Sequence, residues 1–231
     1  MLMEYNDYFL INLNNYFNND GISYDYLKCD GAFDGNGCTY PGEELPDSNA
    51  LVFIDDIPFL FPSKENGYRN NMLIRKQEIL LKENKYDYLY VLGACEGAYG
   101  ESFEEEVVLM NNNECVDSVY IGLSNWLSFP IFYEKIAFVC SHLHYPDFGQ
   151  FINRNMFTKK EYLNYNVGIK PQKYISKEFA YSDLSTLAKD DWKPKLWLQS
   201  ARLPKWFNID RVKFKNENLN FHIFAMTFRN S

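Results

Sequence analysis

Short runs in which apolar and polar residues alternate recur along most of the chain. Alternation with a period of two is typical of half-buried β-strands, whose side chains point to opposite faces in turn. The alternation of Phe9, Ile11, Leu13 and Phe17 predicts one strand over residues 5–17. Further strands are predicted over 51–54, 57–61, 72–81, 86–92, 103–110, 118–123, 131–140, 195–200, 209–215 and 220–228; residues 72–81 also fit a short helix, and the strand is preferred there. Many short strands separated by turns indicate an all-β domain, a sandwich or a barrel.

Two glycine-rich segments interrupt this pattern. Residues 18–46 show neither strand nor helix periodicity and contain five glycines together with several acidic residues. A loop of this length in a compact domain is usually functional. Residues 93–101, GACEGAYGE, form a second irregular segment. We therefore expect the strands to hold these loops at a binding face.

Residues 150–193 also depart from the strand pattern. Thr158 and Glu161 have the spacing of a capping box, and Ser182 is a possible N-cap, whereas Gly168 and Pro171 interrupt the segment. These features predict a helical or irregular insertion within one domain that spans residues 1–231, with a possible role as a lid.

Charge and composition exclude several classes of partner. The net charge is −8, and no stripe of Lys and Arg is present, so nucleic-acid binding is not expected. No apolar run is long enough to span a membrane, and the N-terminus lacks the pattern of a secretory signal. The five cysteines are odd in number and form no CxxC pair. A cytoplasmic protein is the expectation.

The long loop contains candidate ligands for a hard cation. Asn and Asp side chains on irregular chain suit Ca²⁺, and Asn18, Asp20 and Asp30 are the candidates, with Asp34 nearby. The alternative is that these side chains stabilise turns without any ion, as Asn and Asp commonly do.

Carboxylates in the two irregular segments are candidates for acid–base catalysis. Glu43 and Glu44 follow Tyr40-Pro41-Gly42, and Glu96 lies in the second glycine-rich segment. Two carboxylates on converging loops form a possible acid–base pair, here Glu44 and Glu96. They are equally suited to accepting hydrogen bonds from sugar hydroxyls or from loop amides.

The three histidines suggest a second kind of chemistry. His142 and His144 are two residues apart, so on a strand both face the same side. His222 lies in the last predicted strand. If that strand neighbours the first, the three residues form a possible zinc or iron triad, with His142 also available for proton transfer. The alternative is three separate structural histidines.

Other polar and aromatic residues are candidates for ligand binding. Trp126 on a predicted loop is suited either to stacking on a sugar ring or to closing the end of the core. Asn71 and Arg154 offer amide and guanidinium donors to hydroxyls or to a carboxylate. Phosphate-loop, nucleophile-elbow and dinucleotide motifs are absent from the sequence.

The order of several motifs resembles a family of β-sandwich modules. The motifs are FNNDGIS, DGAFDG, TYPGEELP, PFLFPS followed by NN, YDYLYVLGACEG, LSNW and NFHIFAMTF, within residues 17–145 and 195–228. The resemblance is to galactose-binding-domain-like modules, which are found attached to bacterial glycoside hydrolases and to some secreted peptidases.

The resemblance implies a jelly-roll-type antiparallel sandwich with a structural calcium ion. It also implies carbohydrate binding by loops at one end, through Asn19, Asp20, Asp34, Glu44, Asn71, Glu96 and Trp126. His144, Arg154 and His222 join these as ligand-binding candidates from the residue chemistry. The insertion and the lack of an attached catalytic domain depart from the pattern of such modules.

Two hypotheses follow. The first is a module that recognises a sugar or a glycan without chemistry. The second is an enzyme on the same fold that acts on a small sugar-derived or polar metabolite, by acid–base or metal chemistry at Glu44, Glu96 or His142. A carboxylate and a histidine that face each other in a buried pocket would favour the enzyme, and an open groove would favour the module.

Overall fold

The fold is taken from a computed structural model that describes residues 3–23, 31–65, 67–98, 100–144 and 193–231. Most of the insertion predicted at 150–193 lies outside the described residues, and so do Asp30 and Arg154.

Fifteen strands are present in the described part of the chain. They are β1 Met3–Tyr5, β2 Tyr8–Ile11, β3 Ile22–Ser23, β4 Tyr40–Pro41, β5 Leu51–Ile54, β6 Ile57–Leu60, β7 Met72–Arg75, β8 Glu78–Asn84, β9 Tyr86–Cys95, β10 Ser102–Asn111, β11 Glu114–Ser124, β12 Lys135–Val139, β13 Lys195–Arg202, β14 Ile209–Phe214 and β15 Glu217–Asn230. One 3₁₀-helix, Gly42–Glu44, follows β4 directly.

The strands form two main sheets with jelly-roll connectivity. One sheet has the order β1-β2-β15-β9-β13-β12, with β7 also paired to β15, and the other has the order β11-β10-β14-β8. If the eight principal strands are counted along the chain as β2, β8, β9, β10, β11, β13, β14 and β15, the sheets contain strands 1-8-3-6 and 5-4-7-2. That arrangement is two nested Greek keys, so the predicted all-β jelly-roll sandwich is confirmed.

The two sheets pack face to face around an apolar core. β11 contacts β9 and β13, and β10 contacts β15. In β8 and β10 of the four-stranded sheet buried residues alternate with more exposed ones, as Ile79 and Leu81 of β8 do. The central strand β9 is instead buried along nearly its whole length, as predicted for residues 86–92. A strand covered on both faces loses alternation because both sets of side chains are removed from water.

Polar turns with positive φ connect the hairpins. Asp55 and Asp56 join β5 to β6 with φ of 49° and 63°, and Asn112 and Asn113 join β10 to β11 with φ of 50° and 68°. Both central residues of a tight type I′ turn have positive φ, a conformation that Asn and Asp tolerate better than most residues. The predicted turn NNNECVD is therefore shorter in the structure, and Glu114 already belongs to β11.

Several predicted boundaries are wrong. Residues 131–134 of the strand predicted over 131–140 precede β12. Of the strand predicted over 5–17, only Tyr8–Ile11 forms β2: Asn6, with φ of 51°, turns the chain between β1 and β2, and residues 12–17 lie outside the strands. The strand predicted over 72–81 is two strands, because Lys76 adopts φ of 61° between β7 and β8. Gly93 to Cys95, predicted as irregular, extend β9. A Cβ at Gly93 would lie 2.4 Å from the backbone oxygen of His222, so glycine permits this close strand approach.

Candidate functional site

The loops at one end of the sandwich bring most of the predicted site residues together. Strand pairing places Val139 opposite Lys195, Trp197 opposite Gly93, and Ala94 opposite His222. The C-terminal ends of β9 and β12 therefore lie at the same end of the sandwich as the N-terminal end of β13. Glu96 follows β9, the histidine pair follows β12, and Asn71 precedes β7, which pairs with β15 near His222.

Two glutamates and two histidines meet at this end. We call Glu43, Glu44, Ser141, His142 and His144 the Glu–His cluster. His144 Nε2 lies 2.8 Å from Glu43 Oε1, and His142 Nε2 lies 3.4 Å from the same oxygen. On the other side of its ring, His142 Nδ1 lies 2.9 Å from Glu44 Oε1. The His142 imidazole thus lies between two carboxylates.

The backbone on both sides of the cluster is fixed by hydrogen bonds. Glu43 and Glu44 belong to the 3₁₀-helix, and the buried Lys64 ammonium donates to the carbonyls of Gly42 (2.6 Å) and Leu45 (2.9 Å) around that helix. Thr39 and His144 exchange two backbone hydrogen bonds of 2.9 and 3.0 Å. The carboxylates and the imidazoles are therefore held in place by chain segments about a hundred residues apart.

Ser141 fixes the orientation of Glu44. Its backbone N–H donates to Glu44 Oε2 and its hydroxyl donates to Glu44 Oε1. Its oxygen also lies 2.9 Å from His142 Nδ1. Ser141 was not predicted as a site residue, and its position next to His142 is the only signal that the sequence offers.

The cluster shifts the pKa values of its members in opposite directions. Partial burial alone raises the pKa of Glu43, but hydrogen bonds with His142 and His144 outweigh it and lower that pKa to about 2. At Glu44, partial burial alone raises the pKa, but hydrogen bonds with His142 and Ser141 outweigh it, so the pKa of Glu44 is also lowered. Burial alone lowers the pKa of His142, but the two carboxylates raise it to about 9. At neutral pH His142 is therefore an imidazolium paired with two carboxylates.

The donor atoms of this cluster also suit a metal ion. One ligand atom each from Glu43, His142 and His144 lies within 4.8 Å of the others. His144 is fully buried, the His142 side chain is 8% exposed and the Glu43 side chain is 37% exposed, so the cluster opens to solvent at Glu43.

His222 lies in a different group of residues. It does not belong to the triad proposed from the sequence; its Nδ1 lies 2.8 Å from Asn71 Nδ2, and its Nε2 lies 3.7 Å from Glu96 Oε1. We call Asn71, Glu96 and His222 the Asn–Glu–His group. Glu96 also accepts a 2.6 Å hydrogen bond from the backbone of Gly35, which ties it to the long loop. Glu96 is therefore not paired with Glu44 in this structure.

Two polar atoms of the Asn–Glu–His group are buried without a hydrogen-bond partner among the described residues. They are Asn71 Oδ1 and His222 Nε2. An amide nitrogen only donates, so His222 Nδ1 accepts from Asn71 and the proton of the neutral ring lies on Nε2. Burial outweighs the carboxylate of Glu96 and lowers the pKa of His222, which favours this neutral form.

The calcium candidates within the described residues, Asn18 and Asp20, are engaged in protein contacts, and so is Asp34. The Asn18 amide makes hydrogen bonds of 2.8 and 3.0 Å with the backbone of Leu73, as a neighbouring strand would. Asp20 accepts a hydrogen bond from Asn70. Asp34 accepts from the backbone of Asn36 and Cys38, which is an Asx-type turn. These contacts favour the turn-stabilising alternative that the sequence left open.

The remaining ligand-binding candidates differ in exposure. Asn19 donates to the carbonyl of Ala32 and so holds the long loop. Trp126 is 2% exposed, and its ring centroid lies 4.5 Å from that of Phe33 and 5.0 Å from that of Tyr40. In this structure Trp126 therefore closes the end of the core, and its ring offers no exposed face for stacking on a sugar.

Fold and site together define a jelly-roll β-sandwich domain with a histidine–carboxylate cluster at one end. Residues 7–171 match the family described as the AziU2-like beta-sandwich domain. The match covers more than half of the chain, and the protein belongs to this family. No curated protein matches the chain. In the described residues, no helix is long and apolar enough to cross a membrane.

Proposed function

We propose that the Glu–His cluster is the centre of an enzyme site that acts on a small polar, sugar-derived molecule by proton transfer. The observation that carries this proposal is the placement of His142 between Glu43 and Glu44, at 3.4 and 2.9 Å, at the loop end of the sandwich. Ionisable groups with strongly shifted pKa values concentrate at functional sites, because catalysis needs protons held away from their ordinary equilibrium.

The three ionisable residues have distinct roles in this proposal. His142 is the proton donor, because a pKa of about 9 keeps it protonated at neutral pH. Glu43 is the side chain that meets the ligand first, because it is the most exposed member of the pair of carboxylates. Its low pKa keeps it ionised, so it accepts hydrogen bonds from hydroxyl groups. Glu44, held by Ser141, keeps the His142 ring in position.

Two observations support the proposed substrate class, the polar groups at this end and the β-sandwich fold. Carboxylates and amides are the side chains that bind hydroxyl groups, and galactose-binding-domain-like sandwiches present loops at one end to carbohydrates. The family match supports a β-sandwich domain and does not assign a ligand. The sugar class therefore belongs to the proposal.

A test uses D-galactose, D-galacturonate and galactose 1-phosphate as probes. We expect at least one of them to raise the melting temperature and to be converted, as followed by NMR of the probe. His142→Gln should abolish conversion. Glu83→Gln is the matched control. The exposed Glu83 carboxylate accepts a hydrogen bond from Asn208 and lies away from the Glu–His cluster. Conversion that survives His142→Gln, or a chain that none of the probes stabilises, contradicts the proposal.

The second candidate is carbohydrate recognition without chemistry. The observation that favours it is the pair of buried atoms in the Asn–Glu–His group that lack partners among the described residues, Asn71 Oδ1 and His222 Nε2. One accepts and the other donates, as a sugar hydroxyl requires. Under this candidate His222→Gln weakens stabilisation by D-galactose, whereas His142→Gln does not, and no probe is converted. The reverse pattern excludes it.

A further inference from the structure

Three side chains of the Glu–His cluster have the chemistry of a transition-metal site. Two imidazoles and one carboxylate suit zinc or iron, whereas calcium prefers oxygen ligands. We propose that Glu43, His142 and His144 bind a divalent transition metal of the zinc class, with Glu44 as the outer-shell carboxylate that orients His142. Coordination displaces the proton from His142 Nε2, so the metal-bound chain is a different state from the metal-free chain in which His142 is the proton donor.

The distances fit a shared ion. Two ligand atoms on one tetrahedral metal ion are about 3.3–3.6 Å apart when each bond is about 2.0–2.2 Å long. His144 Nε2 and His142 Nε2 lie 2.8 and 3.4 Å from the same oxygen of Glu43, and one ligand atom from each of the three residues lies within 4.8 Å of the others. An ion between them therefore requires only small side-chain shifts.

The outer shell has the expected partner for a metal-bound histidine. A metal-binding imidazole usually donates its second N–H to a carboxylate or a carbonyl, which fixes the ring and its tautomer. Glu44 Oε1 lies 2.9 Å from His142 Nδ1, which leaves Nε2 to face Glu43 and His144. Ser141 in turn holds both oxygens of Glu44. The adjacent residues Glu43 and Glu44 thus have different roles, one as ligand and the other as orienting group.

The number of ligands and their exposure indicate an open site. Structural zinc sites use four protein ligands, whereas catalytic sites use three and keep a position for water or substrate. Here three described side chains converge, and Glu43 is the exposed one. An exogenous ligand would therefore reach the ion from the side of Glu43.

The test is a Co²⁺ titration of the EDTA-treated, tag-free chain, followed by visible absorption and then by Zn²⁺ competition. We expect one Co²⁺ per chain with a spectrum that Zn²⁺ abolishes. His144→Gln and Glu43→Gln should abolish the spectrum. Glu44→Gln should weaken affinity by about 10–100-fold, the usual loss for an outer-shell partner. Glu44→Asp should recover part of that loss.

Matched controls come from the neighbouring group. His222→Gln and Glu96→Gln remove the same residue types at the same end of the sandwich and should leave Co²⁺ affinity unchanged. A wild-type chain that takes up no stoichiometric Co²⁺ overturns the proposal. A spectrum retained in His144→Gln, or lost in His222→Gln while circular dichroism shows that variant folded, also overturns it. Stabilisation by the sugar probes, measured in EDTA, is independent of this result.

Discussion

Phe33 connects the long loop to the core, and its removal tests how the loop is held. The side chain is 1% exposed. Its ring centroid lies 4.1 Å from that of His222, 4.5 Å from that of Trp126 and 4.9 Å from that of Tyr40. Because Tyr40 belongs to β4, which directly precedes the 3₁₀-helix that contains Glu43, the same contacts position the Glu–His cluster.

The loss of stability expected for Phe33→Ala follows from the burial of the side chain. Truncating a buried Phe costs about 3–5 kcal/mol, from lost transfer free energy and the cavity that remains. A domain is stable by about 5–15 kcal/mol in total, so this change removes a large share. The loop can also detach while the sheets stay folded, and the measured loss then stops at the free energy of that local opening.

Urea unfolding and amide hydrogen exchange separate the two outcomes. We expect Phe33→Ala to reduce the free energy of unfolding by about 3–5 kcal/mol, or to speed exchange selectively in residues 31–44. Phe53→Ala is the matched control, because Phe53 is 39% exposed, and it should cost less than about 1 kcal/mol. Equal effects of the two substitutions, without faster exchange in the loop, would refute the assignment of Phe33 as the anchor.

Three further changes test other contacts. His142→Gln should destabilise the metal-free chain by roughly 1–2 kcal/mol at pH 6, after allowance for the exposure of Glu43. Because the pKa of His142 is raised in the folded chain, its ion pairs stabilise the fold fully below the ordinary pKa of 6.5, and this stabilisation is lost as the pH rises through about 9. Urea unfolding at pH 10.5 should therefore show little difference between the variant and the wild type. A pH-independent loss contradicts this pairing. Gly122→Ala should lower the melting temperature, because the alanine Cβ would lie 2.2 Å from the Phe132 ring, an overlap that costs about 1–3 kcal/mol. An unchanged melting temperature would show that the ring moves freely. Lys64→Met leaves the carbonyl of Gly42 without its buried donor and should cost about 1–3 kcal/mol in urea unfolding, with weaker Co²⁺ binding; unchanged Co²⁺ affinity would show that Lys64 does not position the cluster.

Local pattern predicted the strands well where one face meets water. Residues 103–110 and 118–123 alternate because their sheet is covered on one side, and their hairpin lies where expected. The turn at Asn6 was missed although Asn6 and Asp7 are typical turn residues, because the prediction relied on the apolar residues from Phe9 onward. Turn geometry at Lys76 was likewise hidden, since lysine is not a typical residue for positive φ.

The site was only partly predictable, because its contacts join distant parts of the chain. His142 and His144 were expected to face the same side if they lay on a strand; they follow β12 instead, and both contact Glu43. Their partner lies about a hundred residues earlier, and no periodicity reports such a contact. The burial of Trp126 depends on Phe33 and Tyr40 covering it, which is a property of the folded loop and not of the local sequence.

The most direct measurement of the central claim is ¹⁵N NMR of the three imidazole rings in the metal-free chain, titrated from pH 5 to 10 and assigned with His→Gln variants. We expect His142 to stay doubly protonated at pH 7.5 and to titrate near 9, whereas His222 is already neutral with its proton on Nε2. A neutral His142 at pH 7.5 would show that Glu43 and Glu44 do not flank it. The Glu–His cluster, and the function proposed for it, would then be contradicted.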